Sequence, residues 1–232
     1  MTYQNMHKNV VLVGTSHIAK ESIDKITDVF ASFNPDIVCV ELDHNRLNSL
    51  LSGEKPDRSF WNGVKNYGLS GYLFAIIGGF VQEKLGNVVG VKPGSDMLAA
   101  VSLARSNHKT LHLVDQDIEI TLKRFSKAFT WREKFRLVGD IFRAPFSKRQ
   151  NIDLNKVPKE ELVNKLMGDL KKRYPSIYTV LIDERNKVMA KNIYTIMSKN
   201  EDKKILAVIG AGHEKELLHL IKQEDFRRDK VR

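Results

Sequence analysis

The chain has 232 residues, 42% of them hydrophobic and 28% charged, which excludes a disordered polypeptide and is enough to furnish a real core. Its single cysteine, Cys39, excludes an internal disulfide, and the flanking Val38 and Val40 place it inside a strand of a protein kept in a reducing compartment. The opening MTYQNMHKNVVLVGTSH lacks the pattern of a signal peptide, and the longest apolar run, the 13 residues from Leu69 to Val81, falls short of the about 20 needed to cross a bilayer, so a cytoplasmic location is expected.

In chain order, the first predicted strand runs from Asn9 to Val13. Ile23, Ile26, Val29 and Phe30 follow it at helical spacing, and Asn34-Pro35 stops that helix. A second strand spans Asp36 to Leu42. An insertion over 58–107 comes next, in which Asp96 is expected to cap a helix from Met97 to Arg105. The third strand covers Thr110 to Val114. A second helical insertion over 118–200 ends in a long helix from about Ser176 to Met197, before a last strand from Lys204 to Ile209. Strand followed by helix, repeated, predicts an α/β fold: a mainly parallel central sheet covered on both faces, with two helical insertions in a single domain over 1–232.

The net charge is +10, and between Lys123 and Arg149 nine basic residues stand against Glu133 and Asp140. Phe125, Phe129, Trp131, Phe135, Phe142 and Phe146 are interleaved with them. Such a segment suits an anionic membrane surface, which would make the protein peripheral to the membrane, or an acidic partner. The favoured expectation is plainer: an amphipathic insertion with its aromatics in the core and its charges in water. No motif supports nucleic-acid binding.

The first and last strands end in Gly14-Thr15-Ser16-His17 and Gly210-Ala211-Gly212-His213. In a parallel sheet the carboxyl ends of the strands line the binding crevice, so both histidines are expected on one edge. Glu41 closes the second strand and joins them, because Asp43 already serves as the cap of the next helix. His17, Glu41 and His213 form a set that suits a divalent metal ion such as zinc, manganese, cobalt or iron. The same three residues could work without metal, with a histidine as general base and the glutamate orienting it. Glu184 and Arg185 interrupt the apolar stripe of the long helix, so they need partners on its buried face or at the crevice. Asp115 and Asp117 leave the third strand at the same edge, with Arg124 two turns on. Support is the expected role of the two aspartates, Asp117 as a helix cap. GAGHEK is no dinucleotide fingerprint, since Lys215 stands where glycine or alanine belongs, and no serine elbow is present.

The runs VGTSHIAKES, PDIVCVELDHNRL, QEKLGNVVGVKPGSDMLAA, LVDQDIEITLKR, DERNKVMAKNI and VIGAGH, in this order, resemble the TraB family of pheromone-shutdown proteins, itself related to the Tiki proteases and more distantly to the erythromycin-esterase fold. The resemblance runs from about Val10 to Leu218. It implies a metal-dependent peptidase that uses paired GX2H motifs and a glutamate, falling here on His17, Glu41 and His213. The family's arginines would fall on Arg46, Arg124 and Arg185. Asp96 departs from an expected glutamate, Gln116 from arginine and Asn186 from aspartate. The membrane region that many relatives carry at the C-terminus is not expected here.

The expected activity is therefore hydrolysis of short peptides with Mn, Co or Zn at His17, Glu41 and His213. Arg185, Glu184 and Arg124 would assist catalysis, and Arg46, Asp115 and Asp117 would contact substrate. A metal-free hydrolase and a regulator that sequesters a peptide are the alternatives, and a homodimer is compatible with each.

Overall fold

Aliphatic runs stopped by turn residues build the centre of the molecule. The computed structural model describes residues 6–15, 20–53, 62–73, 75–76, 94–143 and 160–231. Its strands are β1 (Met6–His7), β2 (Val10–Thr15), β3 (Ile37–Val40), β4 (Thr110–Leu113) and β5 (Ile205–Gly210). The last four correspond to the four expected strands. The order across the sheet is β1-β2-β5-β3-β4, with β2, β5, β3 and β4 parallel and β1 antiparallel at the edge. Two residues are too few for an alternating pattern to reveal β1. It is held instead by His7 and Lys8, whose side chains meet Asp225 at 2.9 and 2.7 Å.

The helices are α1 (Lys20–Phe33), α2 (His44–Ser52), α3 (Ser95–Ser106), α4 (Ile118–Ala128), α5 (Trp131–Arg143), α6 (Glu160–Arg173), α7 (Pro175–Tyr178), α8 (Glu184–Lys199) and α9 (Ala211–Val231). Residues 62–73 are also helical. Alternation along the strands sorts side chains onto two faces. Val11, Val13, Val38, Val40, Leu206 and Val208 pack with Ile26 and Phe30 of α1 and Met97 and Val101 of α3. Val10, Leu12, Ile37, Cys39, Ile205 and Ile209 pack with Met189 and Ile193 of α8 and Leu217 and Ile221 of α9. Both faces are thus covered, which explains why each central strand is apolar without interruption. The central β5 hydrogen-bonds to β2 and to β3, so its carboxyl end lies between theirs.

Two expectations about the helices need correction. Asp96 does not cap α3: Gly94, at φ 82°, holds the N-cap position, and Asp96 lies buried in the first turn where it accepts Thr15 Oγ1 at 2.5 Å. The left-handed backbone at residue 94 requires glycine, and it frees Asp96 to reach across to β2. The basic segment also differs from its favoured reading. Phe125 is buried and Phe129 stacks on it, but Trp131, Phe135 and Phe142 are exposed. The core beneath them is already filled by Phe125, Tyr174, Ile177 and Val180. Residues 144–149, including Phe146, lie outside the described residues.

The expected long helix is in fact α7, a π-helical turn over Thr179–Asp183, and α8. Such turns insert an extra residue into the helical register and recur at functional sites. Here the turn ends immediately before Glu184 and Arg185.

Helix α5 starts with a capping box. Thr130 N donates to Glu133 Oε2 at 3.2 Å, and Glu133 N donates back to Thr130 Oγ1 at 3.3 Å. Glu133 Oε1 accepts Ser176 N at 2.8 Å, so one buried carboxylate fixes α5 against α7. Burial works against its charge, but the bonds from Ser176 and Thr130 prevail and hold its carboxyl below the ordinary 4.5. A depressed carboxylate contributes stability that is present above its unfolded pKa and lost as the pH falls through the folded value. We therefore expect Glu133→Gln to be destabilised relative to wild type at pH 7, by about 1–3 kcal/mol. Urea titrations across pH should show that difference shrinking below about pH 4.5. A difference independent of pH would remove the ionised carboxylate from this account.

Candidate functional site

At the carboxyl edge of β3, β4 and β5, three titratable groups converge on one guanidinium. Glu41 follows β3, Asp115 follows β4, His213 lies in the first turn of α9 after β5, and Arg185 reaches in from the first turn of α8. Arg185 Nε donates to Asp115 Oδ1 at 3.0 Å and Nη2 to Asp115 Oδ2 at 2.7 Å, a bidentate pair. Nη2 also donates to Glu41 Oε1, and Nη1 to the Leu181 carbonyl at 3.1 Å. That carbonyl belongs to the π-helical turn. Burial works against the charge on Arg185, yet the Glu41 and Asp115 carboxylates outweigh it and raise the arginine's pKa further.

Each carboxylate has further donors. Gly210 N, at the end of β5, donates to Glu41 Oε2 at 2.6 Å, which ties the β3 carboxylate to the strand beside it. Asp115 accepts Arg46 Nη1 at 3.0 Å and its neighbour Gln116 N at 2.7 Å. Two guanidiniums thus face two buried carboxylates, so the cluster is balanced in charge, as burial requires.

His213 is 5% exposed. Its Nδ1 lies 2.7 Å from Asn186 Oδ1, and its Nε2 lies 3.3 Å from Arg185 Nη1 and 3.5 Å from Glu41 Oε1. An arginine can only donate, so Nε2 presents its lone pair to the cluster and Nδ1 carries the proton that Asn186 Oδ1 accepts. The ring is held by Asn186 with Nε2 turned toward Glu41 and Arg185.

The remaining expected site residues lie at varying distances from this centre. Arg124 and Glu184 pair with each other, Nε to Oε2 at 3.1 Å and Nη2 to Oε1 at 2.5 Å, on a more exposed part of the same region. Asp117 caps α4 by accepting Glu119 N at 2.7 Å, and Asp43 caps α2 by accepting Arg46 N at 2.9 Å. His17 lies outside the described residues. The glycine of its motif is nevertheless informative: Gly14 N donates to Glu214 Oε1 at 3.0 Å, and a Cβ at residue 14 would lie 2.3 Å from Glu214 Oε2. A side chain at residue 14 would therefore displace the carboxylate of the residue next to His213.

Glu41 and His213 are the expected metal ligands among the described residues. Glu41 Oε1 is taken by Arg185, Oε2 by Gly210 N, and the Nε2 lone pair of His213 points at the same guanidinium. A dication between Glu41 and His213 would stand beside a permanent cation that already holds its ligands. Among the described residues no three His, Cys, Asp or Glu side chains are grouped to hold a metal ion. In this arrangement Arg185 stands on both Glu41 and His213, and the third expected ligand, His17, lies outside the described residues.

A model of the TraB/PrgY/gumN family matches residues 3–228. The chain belongs to that family. It is 31% identical over 222 residues to uncharacterized protein MJ1365 of Methanocaldococcus jannaschii, covering 93% of this chain and 54% of that protein. It is 26% identical over 194 residues to a TraB domain-containing protein of Bos taurus, covering 76% of this chain and 49% of that protein. A TraB domain-containing protein of Homo sapiens is 25% identical over 193 residues, with 76% and 50% covered. The chain spans about half the length of these curated relatives.

Sequence reasoning missed the contacts of four residues. Asn186 was noted only as a departure from aspartate, yet it sets the tautomer of His213. Thr15 and Asp96 bond across 81 residues, which no local pattern announces. Glu214 was legible only as the neighbour of a histidine.

Arg185→Ala would leave Glu41 and Asp115 buried together without the cation between them, and breaking a buried ion pair in this way costs about 3–5 kcal/mol. We expect that loss in the urea midpoint at pH 7, and a smaller one for Arg46→Ala, whose side chain is 34% exposed. Equal, small losses for both would show that Arg185 is not what holds this edge together.

Proposed function

We propose that this chain is a hydrolase in which His213 activates water for attack on an amide or ester carbonyl, with short peptides as the substrate class. The observation that carries the reading is the Nε2 lone pair of His213, fixed by Asn186 and aimed at Glu41 and Arg185. Peptides are the substrate class that the likeness to pheromone-shutdown and Tiki-type proteins implies.

In this reading Nε2 gives up its contact with Arg185 Nη1, and a water entering beside it passes a proton to Nε2 as its oxygen attacks the carbonyl. The new positive charge on the imidazole is balanced by Glu41 at 3.5 Å. The tetrahedral oxyanion is met by Arg124 from the rim, since the five donors of Arg185 are already engaged within the cluster. His213 then returns the proton to the leaving group. Water attacks directly, because burial pushes the Cys39 thiol up to about 12 and leaves it unreactive, and no serine elbow exists. Arg46, partly exposed beside Asp115, would hold a substrate carboxylate.

A peptide-library cleavage screen tests this. Wild type should cleave after exhaustive chelation, and His213→Ala should lose at least about a hundredfold in kcat/KM while keeping its circular dichroism spectrum. Glu41→Gln, which keeps an acceptor for Gly210 N, should lose activity similarly. Cleavage abolished by chelator and restored by Mn²⁺, Co²⁺ or Zn²⁺ would replace the histidine base with a metal ion. Tight peptide binding without turnover would make the protein a sequestering regulator.

A further inference from the structure

Helix α5 presents two sides of opposite character. Trp131, Phe135, Val138 and Phe142 recur at spacings of four, three and four, which puts them on one stripe. Their exposures are 71%, 72%, 51% and 75%. The opposite side is the one bound to the protein. Glu133 is tied to Ser176, and Asp140 accepts Arg173 Nε at 2.6 Å together with the Tyr174 hydroxyl. Leu137 packs against the small core of Phe125, Tyr174, Ile177 and Val180. The helix is thus fastened along its whole length with its aromatics pointing outward.

The distribution of charge says what meets them. Both acids of α5 are spent on the protein side, while Arg132 and Arg143 flank the stripe on one side and Lys134 on the other. Lys134 Nζ lies 4.4 Å from the Trp131 ring centroid. On the Arg132 side the cations continue through Arg136 and Lys172, which line one cleft with Arg173 and Asp169. Aromatic rings at the centre, basic side chains at both margins and no outward-facing acid on α5 itself match an interface whose apolar layer begins directly beneath a layer of negative charge. A second copy of this chain would bring the same cations against these, at a cost in repulsion. A bilayer rich in acidic headgroups brings the opposite charge.

We propose that α5 docks the protein on the surface of an anionic phospholipid bilayer, with Trp131, Phe135 and Phe142 inserted at the level of the headgroups and the flanking cations on the lipid phosphates. The helix lies in the membrane plane and does not cross it, and no helix among the described residues is long and apolar enough to do so.

Sedimentation of the full chain with vesicles decides this, using pure phosphatidylcholine and phosphatidylcholine containing about one third phosphatidylglycerol. Partition onto the acidic vesicles should exceed that onto neutral ones by at least about tenfold and fall with salt. The triple variant W131S/F135S/F142S keeps every charge and loses only the rings. It should partition at least about tenfold more weakly while its thermal midpoint stays within a few degrees of wild type. Undiminished binding of the triple variant would show that net charge alone attracts the vesicles and would overturn the proposal. So would absence of binding to acidic vesicles at low salt, or a wild-type dimer in solution that the triple variant dissolves. The single substitution F142S, at the C-terminal end of the stripe, provides the same comparison if the triple variant fails to fold.

Discussion

A guanidinium placed between two buried carboxylates organises the edge of this sheet. Arg185 binds Asp115 through two nitrogens and Glu41 through a third contact, and these partners lie 70 and 144 residues away along the chain. Removing two carboxylates from water is strongly unfavourable unless opposite charge meets them in good geometry. The planar fork of arginine does so where a lysine could not. Glu41 is bound on its other oxygen by the backbone of Gly210, so the ends of β3, β4 and β5 and the start of α8 are drawn to one point. Everything the site can do follows from that convergence.

The parallel sheet makes the convergence unavoidable. Its four parallel strands release their chains at the same edge, and β5, entering last, lies between β2 and β3. Glu41 and Asp115 leave adjacent strands one residue out of register, since Val40 faces Leu113 and Asp115 N bonds to the Leu42 carbonyl. The π-helical turn then shifts the helical phase just before Arg185 and offers it the Leu181 carbonyl. His213, in the first turn after β5, needs only Asn186 beside Arg185 to fix its tautomer. Adjacent residues of α8 therefore serve different partners: one neutralises the carboxylates and the next orients the base.

On the far side of the second insertion the same rules give a different outcome. The small core under α4 and α7 is closed by Phe125, Tyr174, Ile177 and Val180, so it has no room for the aromatics of α5. The capping box at Thr130 and the Asp140 contacts hold α5 in place through its polar side. Its apolar side is left facing outward. An amphipathic pattern in sequence gives the width and phase of an apolar stripe, but which side is packed depends on what the polar side can bind.

The sequence by itself determined the strands, because uninterrupted apolar runs such as IVCV and ILAVIG are stable only inside a sheet covered on both faces. It also determined that Glu41 and Arg185 need partners, because charges in apolar surroundings are costly wherever they fall. The helix caps Asp43 and Asp117 were legible too, since a cap contacts a backbone group only two or three residues away. Tertiary structure alone decided the rest: that Arg185 joins Asp115 to Glu41, that Asp96 serves Thr15 rather than its own helix, that β1 exists, and that the rings of α5 face outward. Local pattern records the need for burial or for a counter-charge, while the identity of the partner is set by the packing of segments tens to hundreds of residues apart, and no short-range periodicity encodes it.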